Sequence, residues 1–220
     1  TCLFLGWSVV IANKEELDIH LLVLTLIGAV LAHISVNTLN EYLDFTSGLD
    51  LKTQKTNFSG GSGALPDSPE MAKLVLAVGV LSLIITLFIG LFFVWKYGWN
   101  IVPVGIIGLL IIIYYTGWIN KHPLICLIAP GIGFGFLMVE GAYFALTGEY
   151  STLLWVIGLV PFFLVNNLLL LNQYPDIEAD LSVGRFHFPI AYGTKISNII
   201  YFLFVVMTIL VIVSAVITGF

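Results

Sequence analysis

Long segments without Asp, Glu, Lys or Arg limit the possible folds of this chain more than any other feature. They include residues 74–95, 97–120 and 151–175. A helix needs about 20 consecutive apolar residues to cross the hydrocarbon core of a membrane, and each segment is longer than that. Charged residues make up only 10% of the chain, whereas soluble domains carry about 25%. The sequence therefore predicts an all-α, polytopic membrane helix bundle.

Apolar segments bounded by charges, glycines and prolines predict seven helices. They cover residues 1–12, 17–43, 70–95, 99–119, 123–147, 151–174 and 195–219. The two long connections, residues 44–69 and 175–194, hold most of the charge. Since both ends of the chain lie in apolar segments, we expect one transmembrane domain over 1–220, truncated at both ends, with halves of about 1–119 and 123–220.

The loops differ in their basic residues. Alternating helices place loops 44–69, 120–122 and 175–194 on one face, and this face with its edges carries six of the eight Lys and Arg residues. Basic residues concentrate on the cytoplasmic side of membrane proteins. We therefore expect an integral, multi-pass protein of the cell membrane whose long loops face the cytoplasm.

A short motif occurs twice, each time where a long apolar helix is predicted to end. Residues 40–44 read NEYLD and residues 172–176 read NQYPD, so both follow the pattern Asn-x-Tyr-x-Asp. Further acids come after each copy: Asp50 in the first, Glu178 and Asp180 in the second. The repetition indicates a duplicated helical half.

The two motifs offer oxygen ligands with no His or Cys between them. Residues four apart share one face of a helix, which predicts a common direction within each of two sets. These are Asn40 with Asp44, and Asn172 with Asp176 and Asp180. Oxygen ligands of this kind suit Mg²⁺, which binds through a few carboxylates, waters and substrate phosphates. The alternative is that the acids cap helices or lie in a solvated loop.

Basic residues accompany the acids. Lys52 and Lys55 follow the first motif, Arg185 follows the second, and Lys121 lies in a short loop between them. Such cations would offset the charge of a metal-bound diphosphate and of a departing pyrophosphate. As an alternative, each is a cytoplasmic anchor, and we prefer that interpretation for Lys52.

Four segments together resemble the UbiA superfamily of intramembrane prenyltransferases. They are NEYLDFTSGLD (40–50), GGSGALP (60–66), YYTGWINKHPL (114–124) and NQYPDIEADLSVGRFHFPIAYG (172–193). The first motif is most similar to the branch that prenylates 1,4-dihydroxy-2-naphthoate in menaquinone biosynthesis. The resemblance implies nine helices in two halves around a central cavity, about seven of them present here.

The resemblance also implies a site in which two Mg²⁺ hold an isoprenyl diphosphate. By position, the metal ligands would be Asn40, Asp44, Asp50, Asp176 and Asp180. The catalytic residues would be Asp44, Asp176, Asp180, Lys121 and Arg185, and the substrate-binding residues Asn40, Asn172, Lys55 and Tyr115. Two residues depart from the family: Glu41 stands where many members have Asp, and Gly48 stands where the aromatic-acid branch has the last Asp of its motif.

The expected function is therefore Mg²⁺-assisted transfer of an isoprenyl chain to an acceptor, an aromatic such as 1,4-dihydroxy-2-naphthoate. An ether-lipid synthase of the digeranylgeranylglyceryl phosphate type would use the same site with a lipid acceptor. An ion-coupled transporter is the alternative from another class, although its acids would lie near the bilayer midplane. Besides substrates and membrane lipid, we expect no nucleic acid and no obligate protein partner.

Overall fold

A computed structural model describes residues 1–14, 16–53 and 62–219. Every regular element in this part of the chain is helical. The helices are α1 (Cys2–Ala12), α2 (Ile19–Ser47), α3 (Ala64–Asp67), α4 (Ala72–Tyr97), α5 (Val102–Tyr114), α6 (Pro123–Gly131), α7 (Met138–Thr147), α8 (Thr152–Ile157), α9 (Leu159–Asn172), α10 (Ile177–Ser182) and α11 (Phe188–Thr218).

Several helices follow one another almost without interruption. A 3₁₀ turn precedes α4, and another precedes α5. A short π-helical segment (Ile132–Leu137), which we call the π turn, joins α6 to α7. Helix α8 continues into α9 after Gly158. In the described residues, five of the resulting helices are long and apolar enough to cross a membrane, and two shorter apolar helices accompany them. The predicted all-helical, polytopic bundle is confirmed, whereas its division into two repeated halves remains a prediction.

Small residues allow the helices to approach closely, as is typical in membranes. Where α2 crosses α4, Ser35 is fully buried and donates its hydroxyl hydrogen to the Gly79 carbonyl at 2.9 Å. Where α1 crosses α7, Gly6 lies against the backbone of Val139. The first helix of the chain thus packs on a helix from the predicted second half.

Two helix boundaries differ from the prediction and matter for the site. Helix α2 runs to Ser47 rather than to residue 43, so Asp44 lies inside the helix. Helix α11 begins at Phe188, although its long regular part starts after Gly193, whose φ of 77° and ψ of 164° interrupt it. The predicted start at residue 195 therefore matches the second piece of the helix only.

Candidate functional site

The first motif is positioned by the end of α2. Gly48 adopts a left-handed conformation with φ of 76°, its N–H bonds the Phe45 carbonyl, and the Leu49 N–H bonds the Asp44 carbonyl, both at 3.0 Å. This is the Schellman pattern that ends many helices, and glycine is the residue it favours. Leu49 is then buried, which anchors the turn leading to Asp50. The departure from the family at Gly48 thus has a structural reason.

The second motif is divided between two helices. Pro175 lacks a backbone donor and disfavours helix in the residue before it. Helix α9 accordingly ends at Asn172, and α10 begins at Ile177 after Asp176. Asn172 and Asp180 therefore lie on different helices, so the helical spacing that predicted a common direction for Asn172 and the two aspartates does not apply across the break. The Asp176 side chain makes no capping hydrogen bond to α10, so the helix-cap alternative does not describe it.

The loop after α10 folds back onto Asp180. Gly184 has φ of 79°, a left-handed conformation that glycine adopts without strain, and it reverses the chain. The Arg185 N–H then donates to the Asp180 carbonyl at 3.0 Å, and the Phe186 N–H donates to the Asn120 carbonyl at 2.8 Å. These bonds fix the loop between α10 and the turn that precedes α6.

Four side chains meet as a result, and we call them the Arg185 cluster: Asp44, Asp180, Arg185 and His187. Arg185 donates from Nη2 to Asp44 Oδ1, and from Nη1 to Asp180 Oδ1 at 3.0 Å. His187 Nε2 lies 3.0 Å from Asp180 Oδ2. One guanidinium therefore joins the acids of both motifs, although they are far apart in the sequence.

The cluster is shielded from water. Asp180 is 4% exposed and His187 is 2% exposed, and the Asp44 and Arg185 side chains are 13% and 15% exposed. Charges in such surroundings attract each other more strongly than at a solvated surface, but are stable only when paired. Asp50 and Glu41 lie near enough to add to the negative potential at Asp44, so the site favours cationic ligands.

Two predicted residues lie on or against the segment YYTGWINK (114–121), which runs beside the cluster. Asn40 donates from Nδ2 to Thr116 Oγ1 at 2.9 Å, which ties α2 to this segment. Tyr115 packs against a small core containing Ile119 and Cys126. A tyrosine hydroxyl can donate a hydrogen bond as well as accept one, so Tyr115 can donate to a ligand beside the cluster.

The remaining predicted residues are placed less centrally. Lys121 is exposed at the end of a 3₁₀ turn and forms no ion pair with an acid in the described ranges. Asn172 is half-buried at the end of α9. Lys52 donates to Ser182 Oγ on α10 at 3.3 Å, so it connects the two long loops. Lys55 lies outside the described residues.

His187 was not among the predicted site residues. The sequence does contain a signal for it, because His187 is an imidazole between Phe186 and Phe188 and lies two residues after Arg185. Such a polar residue in an apolar setting needs a partner. Its partner, Asp180, is seven residues earlier, and no helical spacing predicts that contact across a reversed loop.

The donor set fits Mg²⁺ bound together with a phosphate ligand. Within residues 1–14, 16–53 and 62–219, no group of three or more His, Cys, Asp or Glu side chains is placed to hold a metal unaided. Mg²⁺ commonly binds through one or two carboxylates and completes its octahedral shell with water and substrate phosphates. Asp44 and Asp180 supply carboxylates of this kind, and each bonds a different terminal nitrogen of Arg185.

An apolar groove follows α5 away from the cluster, and we call it the α5 groove. Two adjoining pockets form it and share Ile107. The pocket nearer the cluster is lined by Tyr114, Trp118 and Ile119, among others. Since Ile119 belongs to the core on which Tyr115 packs, the groove begins beside the cluster. The second pocket continues to Asn100 at the other end of the helix.

Comparisons with known proteins agree with the motifs. The sequence profile of the UbiA prenyltransferase family matches residues 1–220. The 1,4-dihydroxy-2-naphthoate octaprenyltransferase of Bacillus subtilis (strain 168) is 27% identical over 186 residues, which are 82% of this chain and 57% of that protein. The chain thus spans little more than half the length of this relative. No solved structure matches the chain significantly.

Proposed function

Because the chain belongs to the UbiA prenyltransferase family, we propose that it transfers an isoprenyl chain from an allylic diphosphate to 1,4-dihydroxy-2-naphthoate with the help of Mg²⁺. The resemblance predicted from the four motifs is confirmed by the family match. The acceptor is proposed from the name of the Bacillus subtilis relative. The chain is an integral membrane protein, and we propose that its long loops face the cytoplasm.

The observation that carries the proposal is the meeting of both motifs at Arg185. Helices α2 and α10 contribute one carboxylate each to the same guanidinium. A diphosphate bound here would find a cation already in place and carboxylates on either side of it. The apolar groove that begins beside the cluster suits the hydrocarbon tail of the same substrate.

The proposed roles follow from these positions. Asp44 and Asp180, with Asp176, Asp50 and Asn40, would hold two Mg²⁺, which when bound neutralise the diphosphate leaving group. Arg185 adds a fixed positive charge where the pyrophosphate departs.

Residues around the cluster would orient the substrates. The Tyr115 phenol would donate a hydrogen bond to a diphosphate oxygen, and Lys121 would approach it from its loop. The substrate-binding role of Lys55 stays a prediction from the resemblance, since Lys55 lies outside the described residues. Asn172 would line the cavity. The α5 groove would hold the tail and keep water from the reacting carbon.

The chemical step is a substitution at the allylic carbon. The bond between this carbon and the diphosphate oxygen breaks, and its electron pair leaves with the pyrophosphate. An electron-rich ring carbon of the acceptor supplies the electrons of the new carbon–carbon bond. The ring recovers its aromaticity when that carbon loses the group it carried, a proton or the carboxylate as carbon dioxide, and the bonding electrons of that group return to the ring. No nucleophilic side chain is required.

The transporter alternative is disfavoured by the position of the acids. Asp44 lies one turn from the end of α2, and Asp180 lies on the short helix after α9. The acids of a transporter are expected near the midplane on broken helices. Here they gather where helices end.

A transfer assay on the full-length protein tests the proposal. Radiolabelled isoprenyl diphosphates of several lengths are offered with a naphthoate, a hydroxybenzoate or a prenylated glycerol phosphate, with and without EDTA. We expect Mg²⁺-dependent transfer to the naphthoate, and a loss of about 100-fold or more in Asp44→Asn, since a single electrostatic group in an active site is commonly worth that much. Transfer that survives EDTA contradicts the metal role, and transfer only to the glycerol phosphate indicates the ether-lipid reaction.

A further inference from the structure

His187 is the member of the Arg185 cluster that the proposed function leaves without a role. It precedes α11 at the N-cap position, and its side chain is 2% exposed. Its Nε2 lies 3.0 Å from Asp180 Oδ2. An ionised carboxylate can only accept hydrogen bonds, so the Nε2 hydrogen of His187 is donated to Asp180.

The Asp180 carboxylate is held at both oxygens. Arg185 Nη1 bonds Oδ1 and His187 Nε2 bonds Oδ2, each at 3.0 Å. Two such contacts fix the plane of the carboxylate, because it cannot rotate without breaking one of them. A carboxylate offers about four lone-pair sites, so these bonds leave room for further ligands on the same oxygens.

If His187 only stabilised the fold, we would expect both of its ring nitrogens to have hydrogen-bond partners. Nδ1 of His187 is buried and has no hydrogen-bond partner within the described ranges. An unsatisfied buried polar atom costs about 1–3 kcal/mol. The fold thus keeps an imidazole that hydrogen-bonds through one nitrogen alone, and that nitrogen is directed at Asp180.

We propose that His187 is a positioning residue that orients the Asp180 carboxylate for Mg²⁺ and the diphosphate. The proposal rests on the proposed function and deepens it. Partners that orient the ligands of a metal commonly change metal affinity or activity by about 10- to 100-fold when removed. His187 acts through Asp180 and does not itself touch the substrate.

The test compares His187→Met with His187→Gln in the full-length protein. The two new side chains have nearly the same size and shape, but only Gln retains an N–H donor at the distance of Nε2. The first measurement is the Mg²⁺ concentration that gives half the maximal transfer rate. The second is Mn²⁺ binding by electron paramagnetic resonance in the presence of an unreactive thiodiphosphate analogue, which requires no turnover.

We expect His187→Met to raise the Mg²⁺ requirement and weaken Mn²⁺ binding by about 10- to 100-fold, and His187→Gln to restore most of both. Thr208→Ala is the control, because Thr208 is a buried polar residue of the same helix whose hydroxyl donates to the Phe204 carbonyl at 2.8 Å. It should change neither measurement. His187→Ala provides a second variant without a donor if the Met variant does not fold.

Equal metal binding in the wild type and in both donor-free variants would overturn the proposal. So would equal losses in His187→Met and His187→Gln, since the donor would then be irrelevant. Failure of the proposed function is distinguishable, because the wild-type protein itself would then show no Mg²⁺-dependent transfer.

Discussion

At the scale of single residues, Gly48 shows how one backbone conformation positions a carboxylate. Its left-handed φ of 76° closes α2 and turns the chain from Asp44 toward Asp50. A Cβ there would meet no atom of the described residues within 4 Å. The constraint on this position is therefore conformational and not steric, and the sequence comparison that marked Gly48 as a departure did not reveal it.

Gly48→Ala should lower the melting temperature in detergent, because a left-handed conformation costs a residue with a Cβ about 1–2 kcal/mol. Gly48→Asn should lower it less, since Asn tolerates this conformation best among other residues. Thermal denaturation at one scan rate measures both. Equal melting temperatures for wild type and Gly48→Ala would show that α2 does not need this turn.

At the scale of elements, the contact between the π turn and α9 depends on glycines. A Cβ on Gly135 would lie 2.6 Å from the Gly158 carbonyl oxygen and 2.7 Å from the Phe162 nitrogen. On the same side, the side-chain Oδ1 of Asn166 accepts from the Gly131 N–H at 2.6 Å. The π turn and the continuous helix opposite it are therefore packed backbone to backbone, with α9 leading directly to the second motif.

Gly135→Ala should destabilise the protein by about 1–3 kcal/mol, as overpacking commonly does, because backbone atoms cannot retreat as a flexible side chain can. Gly133→Ala is the matched control, since a Cβ on Gly133 would have no neighbour within 4 Å among residues 1–14, 16–53 and 62–219. Thermal denaturation of the two variants side by side is the measurement. The same change in both would mean that the close approach is not what restricts Gly135.

At the scale of the whole molecule, the Arg185 cluster and the α5 groove together suit a substrate with a charged head and an apolar tail. The two pockets of the groove share Ile107. Ile107 is 43% exposed and its neighbour Ile106 is 52% exposed, but Ile106 lines neither pocket. Substitutions at these two positions therefore compare a groove residue with a similarly exposed residue outside the groove.

Ile107→Trp should shift the proposed transfer reaction toward shorter isoprenyl diphosphates. The indole ring is larger than the isoleucine side chain and would narrow the α5 groove midway along its length. Ile106→Trp should leave the preference unchanged. Relative transfer rates over a series of chain lengths provide the measurement. An unchanged profile in Ile107→Trp would place the tail elsewhere.

The sequence alone determined that this protein is a helical membrane bundle, that it resembles one family, and that Asp44, Asp180 and Arg185 belong among the candidate site residues. Hydropathy and motif spacing depend only on the order of the residues along the chain, so they can be determined without knowing which residues are in contact. Tertiary structure decided that Arg185 joins the two motifs, that Asn172 is separated from its aspartates, and that His187 holds Asp180. These outcomes depend on loops that reverse at Gly48 and Gly184, and the direction of a side chain beyond such a turn follows from packing between distant segments.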